Sequence, residues 1–388
     1  MDTHWGDTLG PENLGTDLAM SGDGLVLAAG QQRLSNPNSG YTFSEHDYVN
    51  TVKVYEWNGD DWAMRGDPIA GPAGSENSQI GWSLSLSDDG SVLAVGSPWF
   101  EIHSAHRVGE ARVYAWNGTE WAQRGGDLPL LLGQSYAFQD FQDAFDRFGY
   151  SMSLSGDGTI VAAGVRGRGG WQGGSHVHIY QWQGGPEWVP YGALSGYPKA
   201  SIQRSPDLGD EDDLHSVRLT RDGRTLVVGW AGSTTVTGSS TSTYTQGRCE
   251  VGVYDALPIG HAGVKWVLRG DFILGQTADE NSGSAVSVSD NGNIVAIGSP
   301  YATGVGGNGR LEVGRARVFT WDGTAWAQLG ATINGIDVVN SPDAISYTHN
   351  LGEQFGYDVE LSANGDVLAV SAPAVSYTHL TLPTTPYV

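Results

Sequence analysis

Apolar and small polar residues alternate over short stretches of this chain, and the alternation returns at regular intervals. In "WSLSLS", residues 82–87, the two kinds of residue take turns at period two, which predicts a strand with one buried face. "SVLAVG", residues 91–96, is an apolar β-rich run that predicts a second strand, and the "SDDG" type of stretch between them supplies a tight hairpin turn. "ARVYAW", residues 111–116, predicts a third strand, "NGTE" a turn, and a fourth strand starts at Trp121. No segment carries a sustained helical period.

The unit repeats. "IGWSLSLSDDGSVLAVGSP" from Ile80 is matched by "FGYSMSLSGDGTIVAAG" from Phe148 and "FGYDVELSANGDVLAVSAP" from Phe355, with looser copies at Leu14, Asp213 and Ser282. The turn glycines Gly24, Gly90, Gly158, Gly223, Gly292 and Gly365 follow one another at intervals of 65 to 73 residues. Four antiparallel strands at that period predict an all-β fold, a β-propeller of about six blade equivalents forming a truncated ring. The expected repeats are 14–79, 80–147, 148–212, 213–281, 282–354 and a partial 355–373, in one domain over 1–373, with residues 5–9 as the last strand of a blade. Residues 374–388 break the pattern and read as a sequence scar.

One phrase recurs nearly verbatim: "VYEWNGDDWAMRG" at 54–66, "VYAWNGTEWAQRG" at 113–125 and "VFTWDGTAWAQLG" at 318–330. Its two tryptophans flank a short turn, so Trp57/Trp62, Trp116/Trp121, Trp182/Trp188 and Trp321/Trp326 are expected to face each other across hairpins. Such cross-strand pairs contribute ~0.2–1 kcal/mol each, and their recurrence points to packing.

The Phe148-Gly149 and Phe355-Gly356 pairs, with Gly96-Ser97-Pro98 and Gly298-Ser299-Pro300, resemble the FG-GAP repeat, the blade unit of integrin-alpha-type propellers. The resemblance spans residues 5–373. It implies a propeller fold and an adhesion or ligand-binding role, in an extracellular or cell-surface setting. The calcium loops of that family are not carried over, because turns such as "SGDGLVL" are too short to wrap the roughly six to eight oxygens calcium takes.

Composition sharpens this picture. Fourteen tryptophans and 16 tyrosines in 388 residues are incompatible with disorder, and a net charge of −23 excludes nucleic acid as a partner. Cys249 is the only cysteine, so no intrachain disulfide forms. No apolar run is long enough to predict membrane insertion, and "MDTHWGDTLG" is no signal peptide but starts in mid-phrase.

Candidate chemistry falls on the long connections 31–50, 99–109, 126–147, 192–213, 230–247, 301–314 and 331–354, expected at one end of the blades. The loop aromatics Trp99, Phe100, Trp171, Trp230, Tyr244 and Tyr301 lack repeat partners and are candidate contacts for a protein or glycan ligand. Asp207, Asp210, Asp212 and Asp213 crowd one loop where the FG pair is missing and form a candidate Ca2+ site; no other cofactor is implied. Asp140, Asp143 and Asp146 present a carboxylate edge on a possible helical turn. His176 and His178 share a strand face but align with Glu110/Arg112, Arg315/Arg317 and Thr51/Lys53, positions read as solvated. No nucleophile elbow, zinc motif or P-loop is present. The expected function is therefore a non-enzymatic interaction or adhesion module. The alternative is a propeller-based hydrolase or lyase using Asp17, Asp358 and Glu360, which interrupt the serine pattern of the first strands near the axis.

Overall fold

The computed structural model describes residues 13–34, 48–71, 78–102, 106–129, 147–166, 175–192, 201–203, 214–231, 236–237, 244–245, 249–259, 263–277, 280–303, 312–335 and 353–373. Among them there is no α-helix, and the strands gather into six antiparallel sheets that follow the repeat, beside two short ribbons, Glu101–Ile102 with His106–Arg107 and Val236–Thr237 with Tyr244–Thr245. Sheet 2 shows the plan: Ser83–Leu86, Val92–Ser97, Glu110–Trp116 and Trp121–Gln123 lie side by side in chain order. Sheets 1, 3, 4 and 5 keep this order and add a short strand, such as Ile69–Ala70, on the third one. Sheet 6 consists of Val359–Leu361 and Leu368–Val370. Two compact units divide the chain, sheets 1 to 3 in one and sheets 4 to 6 in the other.

Each sheet begins with the same self-contained turn. The Ser21 hydroxyl donates to Asp23 Oδ1 (2.6 Å) and accepts from the Val26 amide (2.8 Å), while Leu25 N donates to the same carboxylate (2.9 Å). Ser87/Asp89, Ser155/Asp157, Thr220/Asp222, Ser289/Asn291 and Ser362/Asn364 repeat the arrangement. The Ser21 hydroxyl and the Leu25 amide hold the Asp23 carboxyl below its usual range.

Sheets stack within each unit by a fixed rule. First-strand apolar residues form a leading face that covers the second and third strands of the preceding sheet. Leu84 and Leu86 thus join Val26, Ala28, Val52 and Val54, while Met152 and Leu154 join Val92, Ala94, Ala111 and Val113. Val286 and Val288 do the same over Val227, Val251 and Val253. Each fully buried side chain of this kind contributes ~1.5–3 kcal/mol.

The serines of the first strands tie the boundaries. Met152 N and Leu154 N donate to the Ser83 and Ser85 hydroxyls (2.9 Å each), and Leu361 N donates to Ser287 Oγ (2.9 Å). The alternating serine pattern therefore bonds one sheet to the next.

The repeated tryptophan phrase serves the same end at the outer edge. Trp116 and Trp121 are directly paired, with ring centroids 5.6 Å apart. Trp121 Nε1 donates to the Arg65 carbonyl of the preceding sheet (2.9 Å), and the Arg65 guanidinium lies 5.1 Å from the Trp116 ring. Arg124-Gly125 engages Trp182 and Trp188 in the same way, and Arg269-Gly270 meets Trp321 and Trp326. Thus the Arg-Gly that closes one copy of the phrase clasps the tryptophans of the next.

Candidate functional site

The third strands carry the charged interior of the protein. Their paired polar positions were expected to be solvated; instead Glu110, His178, Arg315 and Arg317 are buried. The expectation fails because these side chains are covered and reach one another and neighbouring segments.

In sheet 2, Gly109 takes φ +75° and bridges Phe148 of the following sheet, so the third strand starts deep in the boundary with Glu110. Arg112, two residues on and on the same face, places Nη2 2.6 Å from Glu110 Oε1 and Nε 2.9 Å from Asp127 Oδ1. Asp127 is held in place by the following residue, whose amide donates to the Ala111 carbonyl (3.0 Å). The result is a guanidinium between two carboxylates. One carboxylate is enclosed, and the other, Asp127, is 53% exposed. Burial pushes the Glu110 carboxyl up to about 7, against the opposing pull of Arg112. A carboxyl poised there exchanges protons near neutral pH.

Sheet 5 holds a second cluster. Glu280 is fully enclosed, accepts from Gln276 N (2.6 Å) and Thr277 Oγ1 (3.2 Å), and lies 3.6 and 3.7 Å from Arg315 and Arg317. Arg317 also donates to Ser282 Oγ (3.0 Å) and the Leu274 carbonyl (3.1 Å). Burial lowers the Arg317 pKa, with Glu280 opposing. Both oxygens of Glu280 have a donor, whereas Nε of Arg315 and of Arg317 is buried without a hydrogen-bond partner. In sheet 3 the His176 and His178 rings meet edge to face at 4.6 Å, and His178 stacks against Phe148 and Tyr180.

The first-strand carboxylates of the alternative reading each have local partners. Asp17 accepts its own Leu18 amide (2.8 Å) and Leu84 N of sheet 2 (2.7 Å), filling the role of a boundary serine. Asp358 accepts from Val359 N (2.9 Å), whose counterpart in the preceding sheet is Ala285, which has no hydroxyl to offer. Glu360 pairs with Arg218 at 2.6 Å. Asp17 and Asp358 thus cap backbone amides, and Glu360 forms an ion pair.

Of the loop aromatics, Trp230 is 1% exposed and packs edge to face on Tyr254 and Phe272, which makes it core. Trp99 stacks on Trp82 at 4.5 Å beneath the Arg147 guanidinium, and Phe100 and Tyr301 are half-buried. Tyr244 lies in a two-residue strand paired with Val236–Thr237. Trp171, the acidic loop with Asp207, Asp210, Asp212 and Asp213, and Asp140, Asp143 and Asp146 lie outside the described residues. Among the described residues no three His, Cys, Asp or Glu side chains converge as metal ligands, and no helix is long and apolar enough to cross a membrane.

No protein-family model matches this chain, and no curated protein matches it. Among solved structures it is similar to Kuenenia stuttgartiensis hydrazine synthase, with 14% identity over 92% of this chain and 83% of that one and a TM-score of 0.46. The present chain holds buried acid–base clusters at positions that were expected to be solvated. The expectation of a non-enzymatic adhesion and protein-binding module is corrected accordingly, the buried clusters being the finding that overturns it.

Proposed function

We propose that the chain is the scaffold of an acid–base enzyme of the hydrolase or lyase class. In this reading its sheets are propeller-type blades of FG-GAP-like kind, and Glu110 is the proton carrier. The observation that supports it most directly is the Glu110 carboxyl, raised to about 7 while held 2.6 Å from Arg112. Two carboxyls in different environments around one guanidinium are the arrangement that separates acid and base roles. In a hydrolysis, Glu110 gives its proton to the leaving oxygen as the bond to that oxygen breaks, water bonds to the vacated centre, and Glu110 takes up the proton that this water releases. Arg112 steadies the carboxylate and offers its charge to an anionic substrate group, and Asp127 marks the solvent side. The blade reading is supported by the glycines of the FG and GAP positions, which approach each other across sheet boundaries at Gly96/Gly149 and Gly298/Gly356.

A panel of chromogenic glycosides, uronides and carboxylic esters, assayed between pH 5 and 8, tests the proposal. Turnover with a kinetic limb near pH 7 that vanishes in Glu110→Gln is the expected result. No turnover across the panel, or an unchanged profile in the variant, overturns it.

A further inference from the structure

One triplet of this chain meets the chemical requirement for N-linked glycosylation, an asparagine followed two residues later by a serine or threonine hydroxyl with no proline between them. It is Asn117-Gly118-Thr119, in the turn between the third and fourth strands of sheet 2. No other asparagine in the 388 residues has Ser or Thr at that place. Residues 117–120 are all exposed, and a Cβ at Gly118 would find nothing within 4 Å.

The turn is built on the oxygen of the asparagine side chain. Asn117 Oδ1 accepts from Thr119 N (2.9 Å), Thr119 Oγ1 (2.9 Å) and Glu120 N (3.0 Å). The nitrogen has a lesser part, since Nδ2 donates to the exposed Glu120 carboxylate over 3.4 Å, a long bond. A sugar on Nδ2 therefore leaves intact the three bonds that hold the turn, because all of them end on Oδ1. The folded hairpin carries such a group without being undone by it.

Two sister turns separate the requirements. Asn58-Gly59-Asp60 in sheet 1 has the carboxamide, and its Oδ1 accepts from Asp60 N (3.0 Å) and Asp61 N (2.9 Å), but its third residue lacks a hydroxyl. Asp322-Gly323-Thr324 in sheet 5 has the hydroxyl, which donates to Asp322 Oδ1 at 2.8 Å. It presents a carboxylate where an amide nitrogen is needed. All three turns follow a directly paired Trp–Trp hairpin end. The middle copy unites the nitrogen and the hydroxyl on one exposed turn.

We propose that Asn117 is an acceptor for an N-linked oligosaccharide, attached as the chain is exported across a secretory membrane. In the transfer, Nδ2 bonds to the anomeric carbon of a sugar carried on a polyisoprenyl diphosphate. The bond from that carbon to the diphosphate oxygen breaks, the diphosphate leaves with the electron pair, and one Nδ2 proton passes to a base of the transferase. Glu110 opens the strand that Asn117 follows, so the glycan and the Glu110 carboxyl belong to opposite ends of one strand. The modification stands independently of the acid–base reading.

Expression of the full chain behind a cleavable signal peptide in a eukaryotic secretory host tests the proposal. The secreted protein is expected to migrate more slowly than the same chain made in the bacterial cytosol. Peptide N-glycosidase is expected to remove the difference and to convert Asn117 to aspartate, read by peptide mass spectrometry. Thr119→Ala, which keeps both backbone amides on Asn117 Oδ1, abolishes the shift, and Thr119→Ser retains it. Asp322→Asn, which gives the sheet 5 turn its missing nitrogen, adds a second glycan. A secreted wild-type chain with Asn117 unmodified overturns the proposal, as does a glycan that survives Thr119→Ala.

Discussion

Gly96 and Gly149 meet across the boundary between sheets 2 and 3. A Cβ on Gly149 would lie 3.1 Å from the Gly96 Cα, and one on Gly96 would run into the Gly149 carbonyl. Gly149 also takes φ +82°, a conformation that side chains resist. Gly149→Ala therefore combines backbone strain with a forced separation of two packed sheets, and a loss of ~3 kcal/mol or more is expected. Gly118 has φ +102° but nothing within 4 Å of its Cβ position, so Gly118→Ala isolates the backbone part at about 1 kcal/mol. Urea denaturation of both variants measures the difference, and equal losses would show that the close approach carries no energy.

Removing the indole N–H in Trp121→Phe deletes the bond to the Arg65 carbonyl and is expected to cost ~0.5–1.5 kcal/mol. A double-mutant cycle between Arg65→Ala and Trp116→Leu is expected to return a coupling of about 0.5–1 kcal/mol. A coupling of zero would reduce the clasp to simple coverage.

The pH dependence of stability carries a signature of Glu110. Its folded-state carboxyl titrates near 7, above the ordinary value of 4.5, so the folded protein binds this proton more tightly than the unfolded chain. The contribution is complete below pH 4.5, falls as pH rises toward 7, and is gone above it. At most it amounts to ~3 kcal/mol. The difference between wild type and Glu110→Gln in thermal melts should therefore drift in favour of the variant from pH 4.5 to 7 and then level off. A difference independent of pH would place the Glu110 titration outside this window.

Glu280 is enclosed beside Arg315 and Arg317, and removing one cation leaves charge without full compensation. Arg317→Met is expected to destabilise by ~3 kcal/mol, with Glu280→Gln recovering a good part of the loss. Additive losses in the double variant would deny the coupling.

The sheets were legible because their signals are local. The alternation of Ser83–Leu86, the turn at Gly90 and the Trp116/Trp121 pair each declare themselves within a few residues, and all three stand as expected. The charged interior was hidden because a third-strand residue gives no sign of what covers it. Glu110 and Arg112 look like the polar alternation of an exposed strand, and only the neighbouring sheet and Asp127 enclose them. Asp17 misled in the opposite sense, since a carboxylate in a row of serines suggests chemistry, whereas here it accepts the Leu84 amide as a serine would. The one available hint was that charged residues recur at the same third-strand register, Glu110 and Arg112 in sheet 2 and Arg315 and Arg317 in sheet 5.

The serine-and-carboxylate turns also set an order of events in time. Their bonds join residues two to five apart, as at Ser87, Asp89 and Val92, whereas the boundary bonds from Met152 and Leu154 to Ser83 and Ser85 span 69 residues. Closing a short loop is fast and costs little entropy, so the hairpins form before the boundaries. Asp89→Ala should accordingly slow refolding, while Ser85→Ala should leave refolding almost unchanged and accelerate unfolding. A chain built this way passes through separate finished hairpins with unmated apolar faces, and it is during that interval, before the serines engage, that crowding is most able to pair the wrong sheets.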